Sequence, residues 1–518
     1  MVARAGVSHL IPVIDLFAGP GGLGEGFSQF NIKGRPIFDV VLSIEKEVCA
    51  HQTLRLRSLY RKLVRAGEEL KEYYDALKVG ADWNSLASRY PKIAQQAASE
   101  AWCAELGKTA PEEIDKRIDV ALKGCAEWVL IGGPPCQAYS LVGRSRRKTI
   151  KDYRPDKDER TLLYREYLKI IAKRWPIIFV MENVKGLLSH KVLEHNIFDQ
   201  IKDDLQDPAK ATGSSKRGPK YHYRIVSLIC PTEESVTDPF KFVVHAERFG
   251  VPQARHRVIL LGVRSDVADI NPTPLTDVKT ISCSQVFAGL PPLRSGLSKQ
   301  KDSSESWISA VRSACDQQWF KQLKGDSVAK RIREVVAGLK DYEYDRGGVY
   351  IDSPVSIDYQ EDWYLAKHPD CVLNHETRGH IVSDLHRYLF ASCFAQQHDK
   401  SPKLDDFPKG LLPNHENVDG DLAGVPFADR FRVQIADRPS TTVTSHISKD
   451  GHYYIHPDPL QCRSLTVREA ARLQTFPDSY FFMGNRTSQY VQVGNAVPPL
   501  LARSIAEKVC EVLSPKGR

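Results

Sequence analysis

Cys136 stands in Gly133-Pro134-Pro135-Cys136-Gln137, directly after the apolar run Trp128-Val129-Leu130-Ile131. The two prolines fix φ and remove two donors, so the backbone holds this thiol in place. A thiol held at the end of a buried strand is a candidate nucleophile, although most intracellular cysteines are inert small hydrophobes. Glu182 closes the apolar run 176–181, where a carboxylate is costly unless paired or used. In Gln253-Ala254-Arg255-His256-Arg257, an extended backbone would put Gln253, Arg255 and Arg257 on one face, two guanidiniums ready for an anion or a carbonyl. The turn Ala18-Gly19-Pro20-Gly21-Gly22-Leu23-Gly24 lets a ligand approach the backbone at a helix N-terminus, but matches neither GxGxxG nor a lysine-bearing phosphate loop. Glu45 ends a second strand, placed to accept hydrogen bonds from a ribose. Gly143-Arg144-Ser145-Arg146-Arg147-Lys148 is a basic segment suited to phosphates. His375 and His380 lack the HExxH register, and no metal is expected.

Apolar runs at 13–17, 38–44, 128–131, 176–181 and 258–263 read as buried strands separated by helices. They predict an α/β fold with an open, doubly wound sheet, in which ligands bind outside the carboxyl ends of the strands. Strand placement alone then gathers the glycine turn, Glu45, the Pro135-Cys136 loop and Glu182 at one edge. Between about 51 and 124 the pattern changes to amphipathic helices. Leu56, Tyr60, Leu63, Leu70, Tyr74 and Leu77 recur at helical spacing, while Arg55, Arg57, Arg61, Lys62 and Arg65 fall elsewhere on the wheel, as a solvated basic face. Residues 212–218 read as a flexible loop. Beyond Pro292 the alternation stops, and a polar, loop-rich second domain is expected until Thr466 and Glu469 open a helix as a capping box.

Composition sets the limits. A 518-residue chain is long enough for two or three domains, and a net charge of +8 permits an anionic partner without demanding one. Eleven cysteines without CxxC pairs imply reduced thiols in a cytoplasm. There is no secretory signal pattern at the start and no apolar run near the roughly 20 residues that span a bilayer.

Five motifs in one order carry a resemblance. Asp15-Leu16-Phe17-Ala18-Gly19-Pro20-Gly21-Gly22, Gly133-Pro134-Pro135-Cys136-Gln137, Glu182-Asn183-Val184, Gln253-Ala254-Arg255-His256-Arg257 and Gly494-Asn495 together resemble the DNA (cytosine-5)-methyltransferases of bacterial type. The resemblance implies a Rossmann-like sheet that binds S-adenosyl-L-methionine, with no metal, plus a smaller, irregular target-recognition domain. It divides the chain into a catalytic domain at 1–283 with the helical insertion, a recognition domain at 284–456, and a segment at 457–518 returning to the catalytic domain. Phe17, Ala18, Gly19, Gly22, Leu23, Glu45, Pro135 and Asn495 would line the cofactor site. Cys136 would add to cytosine C6, Glu182 would hold the proton at N3, and Arg257, supported by Arg255, would contact the base O2. Gln137, Ser140, Arg144, Arg146 and Gln253 would touch DNA, whose target base must leave the stack. The implied partners are double-stranded DNA and a cognate restriction or phage-defence nuclease, for a monomer in the bacterial cytoplasm. The chain departs from the family where the acidic segment that contacts the adenine should lie. The helical insertion replaces it, and Asp115 and Asp119 are the acids on offer, with the contact unassigned. An RNA cytosine methyltransferase and a catalytically silent DNA-binding protein on the same fold are the alternatives.

Overall fold

The computed structural model describes residues 10–135, 159–189, 191–192, 195–213, 221–231, 238–267, 271–339, 344–413, 428–449 and 451–514. Cys136, Gln137, Ser140, Arg144 and Arg146 lie outside the described residues, as does most of the expected 212–218 loop. The chain divides into two compact units, one of residues 1–74, 82–279 and 496–518, the other of 75–81 and 280–495. The expected return to the first domain at 457 is therefore corrected. Residues 457–495 pack within the second unit, and the return comes at 496.

In the first unit, β1 (Ile11–Leu16), β2 (Phe38–Glu45), β3 (Ala101–Cys103), β4 (Val129–Gly132), β5 (Ile178–Val184), β6 (Tyr223–Val226), β7 (Val243–His245) and β8 (His256–Arg264) form one sheet. Its order is β6-β8-β5-β4-β1-β2-β3, with β7 also paired to β8. The run from β3 to β5 is parallel, whereas β8 is antiparallel to β5, β6 and β7. Successive side chains of a strand face opposite ways, and the two cores follow that alternation. Ile14, Leu16, Leu130, Phe179 and Met181 pack with Ile114, Ile118 and Leu122 of α4 and Tyr167, Leu168 and Ile171 of α5. Val13, Val129, Ile131, Ile178 and Val180 pack on the other face with Leu23 and Phe27 of α1 and with Leu501, Ile505 and Val509 of the C-terminal helix Pro499–Leu513. Here α1 is Gly22–Gln29, α2 Val48–Ala66, α3 Pro91–Glu100, α4 Pro111–Leu122 and α5 Glu159–Arg174.

The segment 51–124 is more than a helical insertion. It carries β3, which pairs in parallel with β2 through Ser43↔Ala101 and Glu45↔Cys103. Its basic face is not solvated either. Arg57 donates to Glu25 of α1 at 3.0 and 2.5 Å, Arg61 pairs with Glu25 and Glu100, and Lys62 with Glu100 at 2.6 Å. Arg65 pairs with Asp39, and Arg55 lies 4.0 Å over the Trp83 ring.

The second unit is helical where loops were expected. α6 (Ser327–Gly338) and α7 (Val382–His398) enclose Ile332, Leu385, Leu389 and Phe390 with Trp307, Phe407 and Phe431. α8 (Val467–Leu473) starts at the expected box, with Glu469 N–H donating to Thr466 Oγ1 at 3.2 Å and Thr466 N–H to Glu469 Oε2 at 2.7 Å. His375 is fully buried, where desolvation pushes its pKa down to about 4. Its Nε2 meets the Pro291 carbonyl at 3.0 Å, so that nitrogen carries the proton and Nδ1 accepts from Thr466 at 2.8 Å. His380 packs edge-on to Tyr388 and meets Ser464 Oγ at 3.3 Å.

Candidate active site

In the sheet order the chain winds outward from β1 to β3 on one side and resumes at β4 on the other. The loops after β1 and β4 therefore part at a switch point at the carboxyl edge, the place where open α/β sheets bind their ligands. After β1 the turn is tight. Phe17 takes φ +57°, Gly19 +58° and Gly21 +99°, a left-handed run that costs a bulky residue of order 1 kcal/mol or more. Nothing lies within 4 Å of where a Gly19 side chain would be, leaving that backbone open to an approaching group. Glu45, 8 % exposed at the end of β2, clamps the turn. Its Oε2 accepts from Gly19 N–H at 2.8 Å and its Oε1 from Glu47 N–H at 2.8 Å. Burial raises its pKa against those two bonds.

Other residues expected at the cofactor sit differently. A methyl group on Gly22 would fall 2.1 Å from the Val497 carbonyl, so this glycine admits the turn entering the C-terminal helix. Leu23 is a core residue at 5 % exposure, and Ala18 packs with Leu54 and Ala101. Pro135 is half-buried at the end of the described β4 loop. Asn495 is exposed, the last residue of α9 (Arg486–Asn495) in the second unit.

Across the switch point, Glu182 on β5 stands opposite Ile259 of β8, and Val184 opposite Arg257. Arg257 therefore shares the face of Glu182, one diagonal step away. Its Nε lies 3.0 Å from Glu182 Oε1, with side-chain exposures of 16 and 13 %. Burial lowers the Arg257 pKa and Glu182 opposes that shift, holding the guanidinium charged. The β4 loop is fastened to the same strand. Asn183 Nδ2 donates to the Pro134 carbonyl at 3.3 Å, and a methyl group on Gly133 would lie 3.2 Å from Glu182 Oε2. A side chain at 133 would crowd that carboxylate and require it to shift by a few tenths of an ångström. Gln253 and Arg255 are buried at 0 and 2 % exposure. They do not continue one extended face with Arg257. Arg255 N–H bonds to the Gln253 carbonyl at 2.9 Å, a tight bend that interrupts the alternation.

Two features escaped the sequence. Asp15, on β1, is 1 % exposed, and burial pushes its pKa up to about 8. Neither of its carboxyl oxygens meets hydrogen-bond geometry with a partner among the described residues, although the Gly24 amide lies close. A lone acid inside Val13-Ile14-Asp15-Leu16 was the available signal. The second is β3, which brings Ala104 and Glu105 to the same edge, with Ala104 N–H bonded to the Glu45 carbonyl at 3.1 Å. Asp115 and Asp119 pair instead with Lys173 and Arg174 of α5.

The family pattern described as C-5 cytosine-specific DNA methylase matches residues 85–208 and 239–511. The chain belongs to that family. It is a DNA (cytosine-5-)-methyltransferase, of a family that acts on DNA and uses S-adenosyl-L-methionine. It is similar to Type II methyltransferase M.Bpa9945I of Bacillus paralicheniformis, 32 % identical over 97 % of this chain and 99 % of that one. It is also similar to DNA (cytosine-5-)-methyltransferase M.ApeKI of Aeropyrum pernix, 27 % identical over 96 and 98 % of the two chains. Type II methyltransferase M.DdeI of Desulfomicrobium norvegicum is 26 % identical over 96 and 88 %. No helix among the described residues is long and apolar enough to cross a membrane, and the ten cysteines among them form no disulfide.

Proposed function

We propose that this methyltransferase modifies C5 of a cytosine flipped out of a specific duplex DNA sequence, through a covalent bond from Cys136 to C6. The observation that carries the reading is the joint anchoring of Glu182. One side of its carboxylate meets Arg257 at 3.0 Å, and the other lies against the Gly133-Pro134 backbone that leads directly into Cys136.

Cytosine C5 is a weak nucleophile until a thiolate adds to C6 and makes the C5–C6 unit enamine-like. Cys136 supplies that thiolate. Glu182 shares a proton with N3, so that the electrons pushed into the ring by the sulfur are met at nitrogen, while Arg257 holds Glu182 and the base O2. Arg255, buried on the bend before β8, supports Arg257. When bound, the cofactor supplies an electrophilic methyl group to C5. The C5 proton then leaves to a base, and the electrons of that C–H bond expel Cys136 from C6.

The cofactor's cationic sulfonium and ammonium suit this edge. Asp15 and Glu45 are two buried carboxyls with raised pKa values, and an approaching cation favours their ionised forms. Glu45 and Gly19 would meet the ribose side, with Phe17 and Pro135 beside them in the lining. The adenine side falls to the end of β3 near Ala104, since Asp115 and Asp119 already hold α5. Gln137, Ser140, Arg144, Arg146 and Gln253 would grip DNA, and the second unit would read its sequence. The setting is a bacterial cytoplasm, with the enzyme a monomer working beside a restriction or phage-defence nuclease.

Cys136→Ala should abolish methyl transfer from labelled cofactor while leaving duplex binding intact, and wild-type enzyme should form a denaturation-resistant complex with DNA carrying 5-fluorocytosine. Turnover by Cys136→Ala would remove this thiol from the reaction. Bisulfite sequencing of DNA from expressing cells would give the target.

A further inference from the structure

His245 and His256 face each other at the two ends of the loop that carries Gln253 and Arg255. They form a cross-strand pair of the antiparallel β7 and β8, and their rings stack with centroids 3.9 Å apart and an interplanar angle of 24°. Glu247, in the turn Ala246–Phe249, brings Oε1 to 2.8 Å from His256 Nε2 and 3.8 Å from His245 Nδ1. One donor atom from each residue lies within 4.8 Å of the others. A histidine–carboxylate hydrogen bond would account for the 2.8 Å contact by itself. It does not account for a second imidazole nitrogen 3.8 Å from the same oxygen, nor for Glu247 Oε2, which is buried and has no hydrogen-bond partner among the described residues.

We propose that His245, Glu247 and His256 bind a divalent transition-metal ion of the zinc class, with two imidazole nitrogens and one carboxylate as protein ligands and water completing the coordination. Metal–ligand bonds of about 2.0–2.2 Å at tetrahedral angles place ligand atoms roughly 3.3 Å apart. The observed 2.8 and 3.8 Å bracket that spacing. The rings reach a convergent arrangement by rotation about χ2, a soft torsion. Two imidazoles disfavour calcium and magnesium, which take oxygen ligands, and suit zinc, cobalt and nickel. Side-chain exposures of 39, 18 and 33 % leave a path from solvent. The ion would not touch the reacting atoms. It would fasten both ends of the loop holding Gln253 and Arg255, immediately before Arg257, and so act by positioning.

Full-length reduced enzyme, stripped with chelator and dialysed, would be titrated with zinc chloride by calorimetry and with cobalt(II) by absorption. One saturable equivalent is expected, with a visible cobalt d–d band and none of the sulfur-to-cobalt charge-transfer absorption that a cysteine site gives. His245→Gln and His256→Gln should each weaken zinc binding at least about tenfold, whereas His222→Gln, at an exposed histidine elsewhere, should not. Thermal unfolding of the metal-free variants would establish that they are folded. The proposal is overturned if the wild type binds neither ion saturably, if binding survives in the His245→Gln/His256→Gln double variant, or if the cobalt spectrum reports thiolate ligands.

Discussion

The helix that follows the glycine turn, α1, is tied to α2 by charges that are buried from solvent. Glu25 of α1 is 0 % exposed, and Arg57, at 3 %, bonds both of its oxygens. Burial by itself would raise the Glu25 pKa, yet Arg57 and Arg61 outweigh it and hold the carboxyl down at about 2, against an ordinary 4.5. At about 1.4 kcal/mol per pH unit, that displacement of roughly 2.5 is worth about 3 kcal/mol. Because the folded pKa is depressed, this stability is fully present above pH 4.5 and is lost as pH falls toward 2. Glu25→Gln keeps the shape but strands Arg57 beside a neutral amide. It should cost about 3 kcal/mol or more at pH 7, in the range for breaking a buried pair. Arg57→Met in the same chain removes the stranded charge and should restore part of the loss. Urea denaturation followed by circular dichroism at pH 7 and at pH 3 measures both effects. The reasoning fails if Glu25→Gln lies within about 1 kcal/mol of wild type at pH 7, or if the double variant is no more stable than the single one.

Gly133→Ala places a methyl group 3.2 Å from Glu182 Oε2 and should lower single-turnover methyl transfer about tenfold or more, with cofactor affinity little changed; full-rate transfer would show that Glu182 need not be held there. Asp15 runs opposite to Glu25, since its folded pKa is raised from 3.8 to about 8. Its contribution is fully present below pH 3.8 and is lost as pH rises through 8, so Asp15→Asn should flatten the decline in stability between pH 4 and pH 8, and an unchanged pH profile would refute the burial argument.

The parallel half of the sheet was legible because its strands are buried on both faces and so read as unbroken apolar runs ending in residues that cannot stay buried unused. β3 was not, since three residues, Ala101-Trp102-Cys103, between two helices carry no period to recognise. The fate of Arg57 and Arg61 was hidden for another reason. Their partners Glu25 and Glu100 lie 32 and 39 residues away in sequence, and a helical wheel shows one helix without its neighbours. α7 was missed because at least ten of its seventeen residues are buried, around most of its circumference, leaving little of the apolar-to-polar contrast that marks a surface helix.

The gathering of Glu182 and Arg257 depends on a strand direction that no motif records. Were β8 parallel to β5, its start would lie at the opposite edge, and Gln253 to Arg257 would sit the length of the sheet away from the glycine turn. The antiparallel register of Val184 with Arg257 reverses this, so that the beginning of β8 meets the end of β5. The bend at Ala254 takes Gln253 and Arg255 off the face of Arg257, leaving Arg257 as the strand's contribution to the Glu182 carboxylate. A parallel strand would need a crossover to arrive there. Here the chain leaves β5, passes through β6, β7 and the Ala246–Phe249 turn, and enters β8 at the end where β5 finishes, so Arg257 and the Glu182 carboxylate, encoded far apart, meet at one edge.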